Sequence, residues 1–336
     1  MSQLKILSLF SGMGAFEKAL KNLGIGHEVV NYCEWEEPIA KSYSILHNIP
    51  MERNLGDISK VDETKLPDFD LMTYGFPCTD VSVAKVNGLG LEGGQSGLLY
   101  EALRIAEHKL PKYMIAENVK NLVGKHKAGF EDMLKRLEGM GYNNYWKVLD
   151  AKDFGVPQER HRVFVVSIRK DIDDGKFTFP TARPSTSRTS SWWEFLNPYE
   201  TRNLTNRQQR MVDVAKGLNK DDSIKFEGEV QFDCAIITLR QSGLRFQDNP
   251  HHPTITSYYG KGGGNFTILA YKGHIGGITP KQCFQLMGFD ESDHDKLVAA
   301  GISRSNLYIM AGNSIVVNVI EDIFKNLFEK GGELNA

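Results

Sequence analysis

A cysteine that directly follows a proline at the end of an apolar run is well placed to act as a nucleophile. Asp70-Leu-Met-Thr-Tyr-Gly-Phe-Pro-Cys-Thr delivers Cys78 in this way, with Pro77 fixing the backbone just before it. A second apolar run, Tyr113 to Ala116, ends on Glu117. A thiol and a carboxylate on neighbouring strand ends make a nucleophile and acid pair. In Gln158-Glu-Arg-His-Arg-Val-Phe, Arg160 and Arg162 occupy alternate positions leading into a strand, so they share one side while His161 points away. Such a pair can hold a phosphate or a carbonyl oxygen, or simply form a solvated edge.

A second group of residues suits nucleotide binding. Ser8-Leu-Phe-Ser-Gly-Met-Gly-Ala-Phe lies between a strand and a helix, where Gly12 and Gly14 let the backbone approach a ligand at the helix N-terminus. The same turn would serve a methyl donor, a nicotinamide dinucleotide or plain tight packing. Glu34 ends the next strand, where an acid commonly holds a ribose, and Trp35 beside it offers a face for a purine. Asp57 is suited to accept from an adenine amino group, or to cap a turn. The glycine-bearing stretch from Asn87 to Gly97 reads as a lid or a connector.

The elements that must position these residues follow from periodicity. Strands are predicted at Lys5 to Ser8, Glu28 to Cys33, Leu71 to Tyr74, Tyr113 to Ala116 and Val163 to Ile168. Helical patterns occupy Phe16 to Leu23, Pro38 to His47, Leu98 to His108 and Phe130 to Met140. The alternation implies a Rossmann-like, doubly wound α/β domain with a parallel sheet and a ligand crevice at the carboxyl ends of its strands. After Lys176 the texture turns to Pro, Ser, Thr and Arg, and then to glycine-rich turns, which implies a smaller, loop-rich, partly β domain. The expected division is residues 1–178 with 300–336, against 179–299. The apolar segment from Leu307 to Phe324 should return to the first domain.

Composition sets limits. The 336 residues are 41% hydrophobic and 24% charged, enough for a large domain and a smaller one. Four cysteines, Cys33, Cys78, Cys234 and Cys283, are too sparse for a disulfide framework, and no Cys-x-x-Cys pair suggests a metal. An N-terminus without signal-peptide character, and no segment expected to span a membrane, point to a cytoplasmic protein. A net charge of -2 gives no basic footprint, so any nucleic acid must be met by a local surface.

Taken in order along the chain, these motifs resemble one family, the DNA cytosine carbon-5 methyltransferases. The similar signatures are Phe10-Ser-Gly-Met-Gly14, Glu34-Trp35, Gly56-Asp57-Ile58, Gly75-Phe-Pro-Cys78, Glu117-Asn118-Val119, Gln158-x-Arg160-x-Arg162, Ile278-Thr-Pro-Lys-Gln-Cys-Phe-Gln-Leu-Met-Gly-Phe289 and Gly312-Asn313-Ser314. The family usually has Asp where Ser8 stands, Gly where Ala15 stands and Gln where Thr79 stands.

The resemblance implies a sequence-specific enzyme that moves a methyl group from S-adenosylmethionine to carbon 5 of a cytosine flipped out of double-stranded DNA. Cys78, Glu117, Arg162 and Arg160 are its implied catalytic residues. Phe10, Ser11, Gly12, Met13, Gly14, Glu34, Trp35, Asp57, Ile58, Pro77, Leu98, Asn313 and Ser314 are the implied donor-binding residues, with no metal. The segment from about Phe179 to Ala270 is the implied target-recognition region and carries Arg183, Arg188, Arg202, Arg207, Arg210, Arg240 and Arg245 among acids such as Asp221 and Glu227. A monomer, nucleoid-associated when acting on DNA and belonging to a restriction-modification system, is expected. The rivals are an RNA cytosine methyltransferase, a dinucleotide-dependent oxidoreductase and a catalytically silent DNA-binding module.

Overall fold

In the computed structural model, residues 3–77, 97–183, 191–240, 243–261 and 266–329 are described. Cys78, Thr79, Arg188 and most of the 87–97 stretch lie outside them. The chain divides into two compact units: residues 1–150, 161–182 and 315–336 form the first, and residues 151–160 and 183–314 the second.

The first unit is built on β1 (Leu4–Leu9), α1 (Ala15–Asn22), β2 (His27–Cys33), α2 (Glu37–His47), β3 (Leu71–Tyr74), α3 (Gly97–Lys109), β4 (Tyr113–Val119), α4 (Lys127–Gly139), β5 (Tyr142–Asp150) and β6 (His161–Arg169). Its six described strands run in the order β2-β1-β3-β4-β6-β5. The first four are parallel, and each of these predicted strands and helices is present. The sheet is nevertheless mixed, because β6 pairs antiparallel with both β4 and β5. Only ten residues join β5 to β6, too few for the crossover that a parallel pair would need. β3 is buried along its whole length, as a central strand with both faces covered should be. Leu7, Leu9, Met72, Tyr74, Leu103 and Met114 lead its hydrophobic core.

The second unit has a five-stranded sheet of the order β11-β10-β8-β9-β7, formed by β7 (Lys225–Glu227), β8 (Cys234–Leu239), β9 (Gly243–Gln247), β10 (Thr267–Tyr271) and β11 (His274–Gly277). Helices α5 (Trp192–Phe195), α6 (Asn206–Ala215), α7 (Pro280–Leu286), α8 (Glu291–Ala299) and α9 (Arg304–Asn313) accompany it. Capping boxes start α6 at Thr205 and α7 at Thr279.

Among the described residues one tract, Arg304–Phe328, is long and apolar enough by composition to cross a membrane, which the sequence reading did not anticipate. Its helix breaks at residues 314–316, and 72% of its apolar window is buried, so it reads as core. The part beyond the break, α10 (Val317–Phe324), returns to the first unit, where Phe324 meets Phe16 edge-on at 6.3 Å and Asn22 donates to Glu321 at 2.7 Å. Residues 300–314 belong instead to the second unit, where α9 is so tightly seated that a Cβ on Gly312 would lie 2.2 Å from the backbone at Thr256 and Ser257.

Candidate active site

β1 lies between β2 and β3, and the chain winds outward from it in both directions. The crevice at such a reversal, outside the carboxyl ends of the strands, is where α/β sheets of this kind take ligands. The turns after β1, β2 and β3 therefore share one edge with the last residues of β4; the turns carry Phe10 to Gly14, Glu34 with Trp35, and Pro77, and the end of β4 carries Glu117.

The turn after β1 is held in left-handed backbone, with φ of 52° at Phe10, 56° at Gly12 and 75° at Gly14. The two glycines serve different ends. A Cβ on Gly12 would meet nothing within 4 Å, leaving that face open for a ligand. A Cβ on Gly14 would lie 2.1 Å from Nε2 of His47, so Gly14 makes room for a side chain and not for a ligand. His47 Nε2 donates to the Met13 carbonyl at 2.9 Å, which fixes its tautomer because a carbonyl can only accept. Ser11 N–H donates to the Cys33 carbonyl at 3.1 Å and ties the turn to β2.

Glu34 is buried and aimed by the backbone. Its Oε2 accepts the Gly12 N–H at 3.1 Å and its Oε1 the Glu36 N–H at 3.0 Å. Burial pushes its carboxyl above the ordinary range, and those two hydrogen bonds offset part of the rise. Asn54, which sequence reasoning missed, accepts the Glu34 N–H at 3.0 Å and donates to the Glu34 carbonyl at 2.9 Å. Its only signal was its place three residues before Asp57. Trp35 is 77% exposed, an aromatic face without cover.

Asp57 does cap a turn: its Oδ1 accepts from the N–H and the hydroxyl of Ser59, and those bonds lower its carboxyl. Ile58 is buried, whereas Phe10 and Leu98 are half-buried against the core.

The end of β3 is braced by Asn118, which donates to the Phe76 carbonyl at 2.8 Å, just ahead of exposed Pro77. Beside it, Arg162 Nε lies 2.9 Å from Glu117 Oε1. The register brings them together, since Val119 on β4 faces Arg162 on β6. Glu117 Oε2 would stand 3.6 Å from a Cβ on Gly75, which places the carboxylate against the strand end that leads to Cys78. A carboxylate and a guanidinium thus sit side by side at the edge of the crevice.

Arg160 does not join Arg162. It lies in the second unit, buried, where its guanidinium donates to the carbonyls of Ile255 at 2.8 Å, Gly312 at 2.9 Å and Ser314 at 2.6 Å. Neighbouring Gln158 is buried too and donates to the Leu286 carbonyl at 2.7 Å. Alternation along a strand gives the side a residue takes but not the segment that covers it. Arg160 thereby fixes the end of α9, where Asn313 is exposed and Ser314 buried. His161 pairs instead with Asp150 at 3.2 Å in the first unit.

In the second unit several of the arginines already have partners. Arg210 reaches Asp221 at 2.7 Å, Arg245 reaches Glu227 at 3.3 Å, and Arg202 stacks 4.1 Å above the Phe266 ring. Cys33 donates to the Gly56 carbonyl at 2.8 Å, and burial pushes its thiol up to about 12; burial raises Cys283 and Cys234 as well. All three are thereby poor nucleophiles.

The profile of the family described as C-5 cytosine-specific DNA methylase matches residues 4–329. The type II methyltransferase M2.ScrFI of Lactococcus lactis subsp. cremoris is 34% identical, over 97% of this chain and 99% of its own. The type II methyltransferase M.HhaI of Haemophilus parahaemolyticus is 28% identical, over 99% and 95%. Among solved structures, the Dnmt2 methyltransferase of S. pombe shares the fold with a TM-score of 0.71 at 19% identity, covering 98% of this chain and 99% of that one. A match of this extent settles the family: the chain belongs to the C-5 cytosine-specific DNA methylases.

Proposed function

We propose that this DNA cytosine-5 methyltransferase acts on a cytosine flipped out of double-stranded DNA, with Cys78 as its covalent nucleophile and Glu117 and Arg162 as the groups that hold the base. The observation that carries this reading is the Glu117–Arg162 pair against Gly75. Along its pairing edge cytosine presents an amine, ring nitrogen 3 and carbonyl oxygen 2 in sequence. A carboxyl group beside a guanidinium matches that order: one Glu117 oxygen accepts from the amine, the other, carrying a proton, donates to nitrogen 3, and Arg162 donates to the oxygen. Carbon 5 of cytosine is a poor nucleophile until a thiolate adds at carbon 6. Cys78 makes that addition, and Glu117 stabilises the charge that develops on the ring. Once carbon 5 carries the methyl group and has lost its proton, the carbon–sulfur bond breaks and its electron pair returns to Cys78. The target atoms lie within a stacked duplex, so the base must leave the helix first.

S-adenosylmethionine, the methyl donor of this family, supplies an electrophilic methyl group on a sulfonium. The residues present fit it. Gly12 offers an open backbone face, Glu34 is aimed by the backbone to accept from a ribose hydroxyl, Trp35 is free to stack on adenine, and Asp57, whose Oδ2 lies 3.8 Å from Lys60, can accept from the adenine amine. Phe10, Ser11, Met13, Ile58, Pro77 and Leu98 complete the assignment in the first unit. Arg160 acts through the backbone it holds and is a positioning residue in this scheme. The region around 179–299 reads the target sequence, and the protein works as a cytoplasmic monomer without a metal.

Bisulfite sequencing of DNA from cells expressing the chain tests the reading. Protection of one short cytosine-containing sequence is the expected result. Unprotected DNA together with methyl transfer to transfer RNA would replace it with the RNA alternative.

A further inference from the structure

Arg104 sits on α3, one turn beyond Glu101 and two beyond Leu98, and it reaches away from its own helix. Its Nη2 donates to the Val61 carbonyl at 3.0 Å and the Ile58 carbonyl at 3.5 Å, and its Nε to Glu101 Oε2 at 2.9 Å. Its Nη1 pairs with Glu63 Oε2. One planar guanidinium therefore spans two carbonyls of the 58–61 turn, a carboxylate two residues beyond it and a carboxylate on α3. The side chain is only 33% exposed, so the bonds are made largely out of water.

This turn opens with Asp57 and Ile58, and α3 opens with Leu98. We infer that Arg104 is a positioning residue for methyl-donor binding, clamping the turn that carries Asp57 and Ile58 to the helix that carries Leu98. The inference rests on the donor-site reading of those three residues. Two physical reasons support the clamp. The carbonyls of Ile58 and Val61 face α3, so a cation from α3 is needed to anchor a turn of only three residues, Ile58–Lys60. The carboxylates of Glu63, Glu101 and Asp57 also crowd one place. Burial and then the neighbouring Asp57 charge push the Glu101 carboxyl up, and Arg104 pairs with Glu101 and Glu63 while Lys60 lies 3.8 Å from Asp57. Without it, repulsion would move the turn, and with it Asp57 and Ile58, relative to Leu98.

The test is calorimetric titration of the full-length protein with S-adenosylmethionine. Arg104→Met keeps the apolar stem but removes the fan of donors, and it should weaken donor binding by ~10-fold or more, the usual scale for a loosened supporting contact. Arg104→Lys, which keeps the charge, should fall between Arg104→Met and the parent. KM for the donor should rise by more than kcat falls, and affinity for duplex DNA should not change. Should Arg104→Met fail to fold, Glu63→Gln removes one arm of the clamp at constant shape and should still weaken the donor severalfold. Trp35→Ala separates the two levels of the argument. If Trp35→Ala weakens donor binding while Arg104→Met and Glu63→Gln bind like the parent, the clamp is overturned and the donor site stands. If Trp35→Ala also binds like the parent, the donor-site reading itself is wrong.

Discussion

Gly12 and Gly14 stand two residues apart with the same handedness of backbone, yet alanine should harm the protein differently at each. At either position a Cβ in left-handed backbone costs roughly 1–2 kcal/mol. For Gly12→Ala nothing is added to that, because no atom lies within 4 Å of the new methyl. For Gly14→Ala the methyl would lie 2.1 Å from Nε2, 2.6 Å from Cδ2 and 2.9 Å from Cε1 of His47, so the whole imidazole must leave. Its hydrogen bond to Met13 is then lost, at about 1 kcal/mol, and so is its packing on the Tyr43 ring 4.8 Å away, worth up to about another 1 kcal/mol. Gly14→Ala should therefore cost about 2–4 kcal/mol in all, against about 1–2 for Gly12→Ala. At about 2–4 °C per kcal/mol, thermal unfolding should place Gly14→Ala several degrees below Gly12→Ala. Donor titration should reverse the order of harm, since only the Gly12→Ala methyl projects into the open face. His47→Ala should relieve Gly14→Ala in a double-mutant cycle. Equal melting temperatures for the two alanine variants, with no relief from His47→Ala, would refute the reasoning.

Three further outcomes are expected. Burial raises the Glu34 carboxyl in the folded protein, so its contribution to stability is full at acid pH and is lost as pH rises through the raised value; in Glu34→Gln this pH dependence of stability should be absent. Because the carboxylate is the better acceptor for a ribose, donor affinity of the parent should fall on acidification through that raised value, and that of Glu34→Gln should stay weak and flat. Arg160→Met leaves three buried carbonyls short of a donor and should lower stability by about 2–4 kcal/mol; a loss of activity at unchanged melting temperature would instead return Arg160 to the substrate. Replacing the segment from Phe179 to Ala270 with a relative's counterpart should move the methylated sequence and keep the chemistry, and a folded, active chimera with the original specificity would exclude that segment as the reader.

Periodicity was enough for the elements that carry the site, since β1, β3 and β4 are buried over most of their length and show it as apolar runs, and β2 at the sheet edge keeps enough apolar residues to be read. It failed at β5. Tyr142-Asn-Asn-Tyr-Trp-Lys-Val-Leu-Asp pairs on one side only and is half-exposed in its middle, so it shows neither a continuous apolar run nor clean alternation. It failed also for the direction of β6, which depends on connection length and not on side-chain pattern. At the site, Glu117 and Arg162 were legible because both sit at strand ends. The split between Gly12 and Gly14 was not, because His47 comes from a helix thirty-odd residues away. Arg160 and Asn54 act on distant backbone, and a single sequence does not show which carbonyls will fold against it.

The central claim is that Cys78 attacks the base, and a cytosine bearing fluorine at carbon 5 tests it most directly. That fluorine cannot leave as a proton, so the elimination that frees the thiol should be blocked after methyl transfer. Duplex DNA carrying this base in the recognised site should become covalently attached to the protein only when S-adenosylmethionine is present. On a denaturing gel the parent should give the adduct, as should variants with Cys33, Cys234 or Cys283 replaced by alanine or serine. Cys78→Ser should give none while still binding the DNA. An adduct that survives in Cys78→Ser, or a cross-link located by mass spectrometry on another cysteine, would contradict the account.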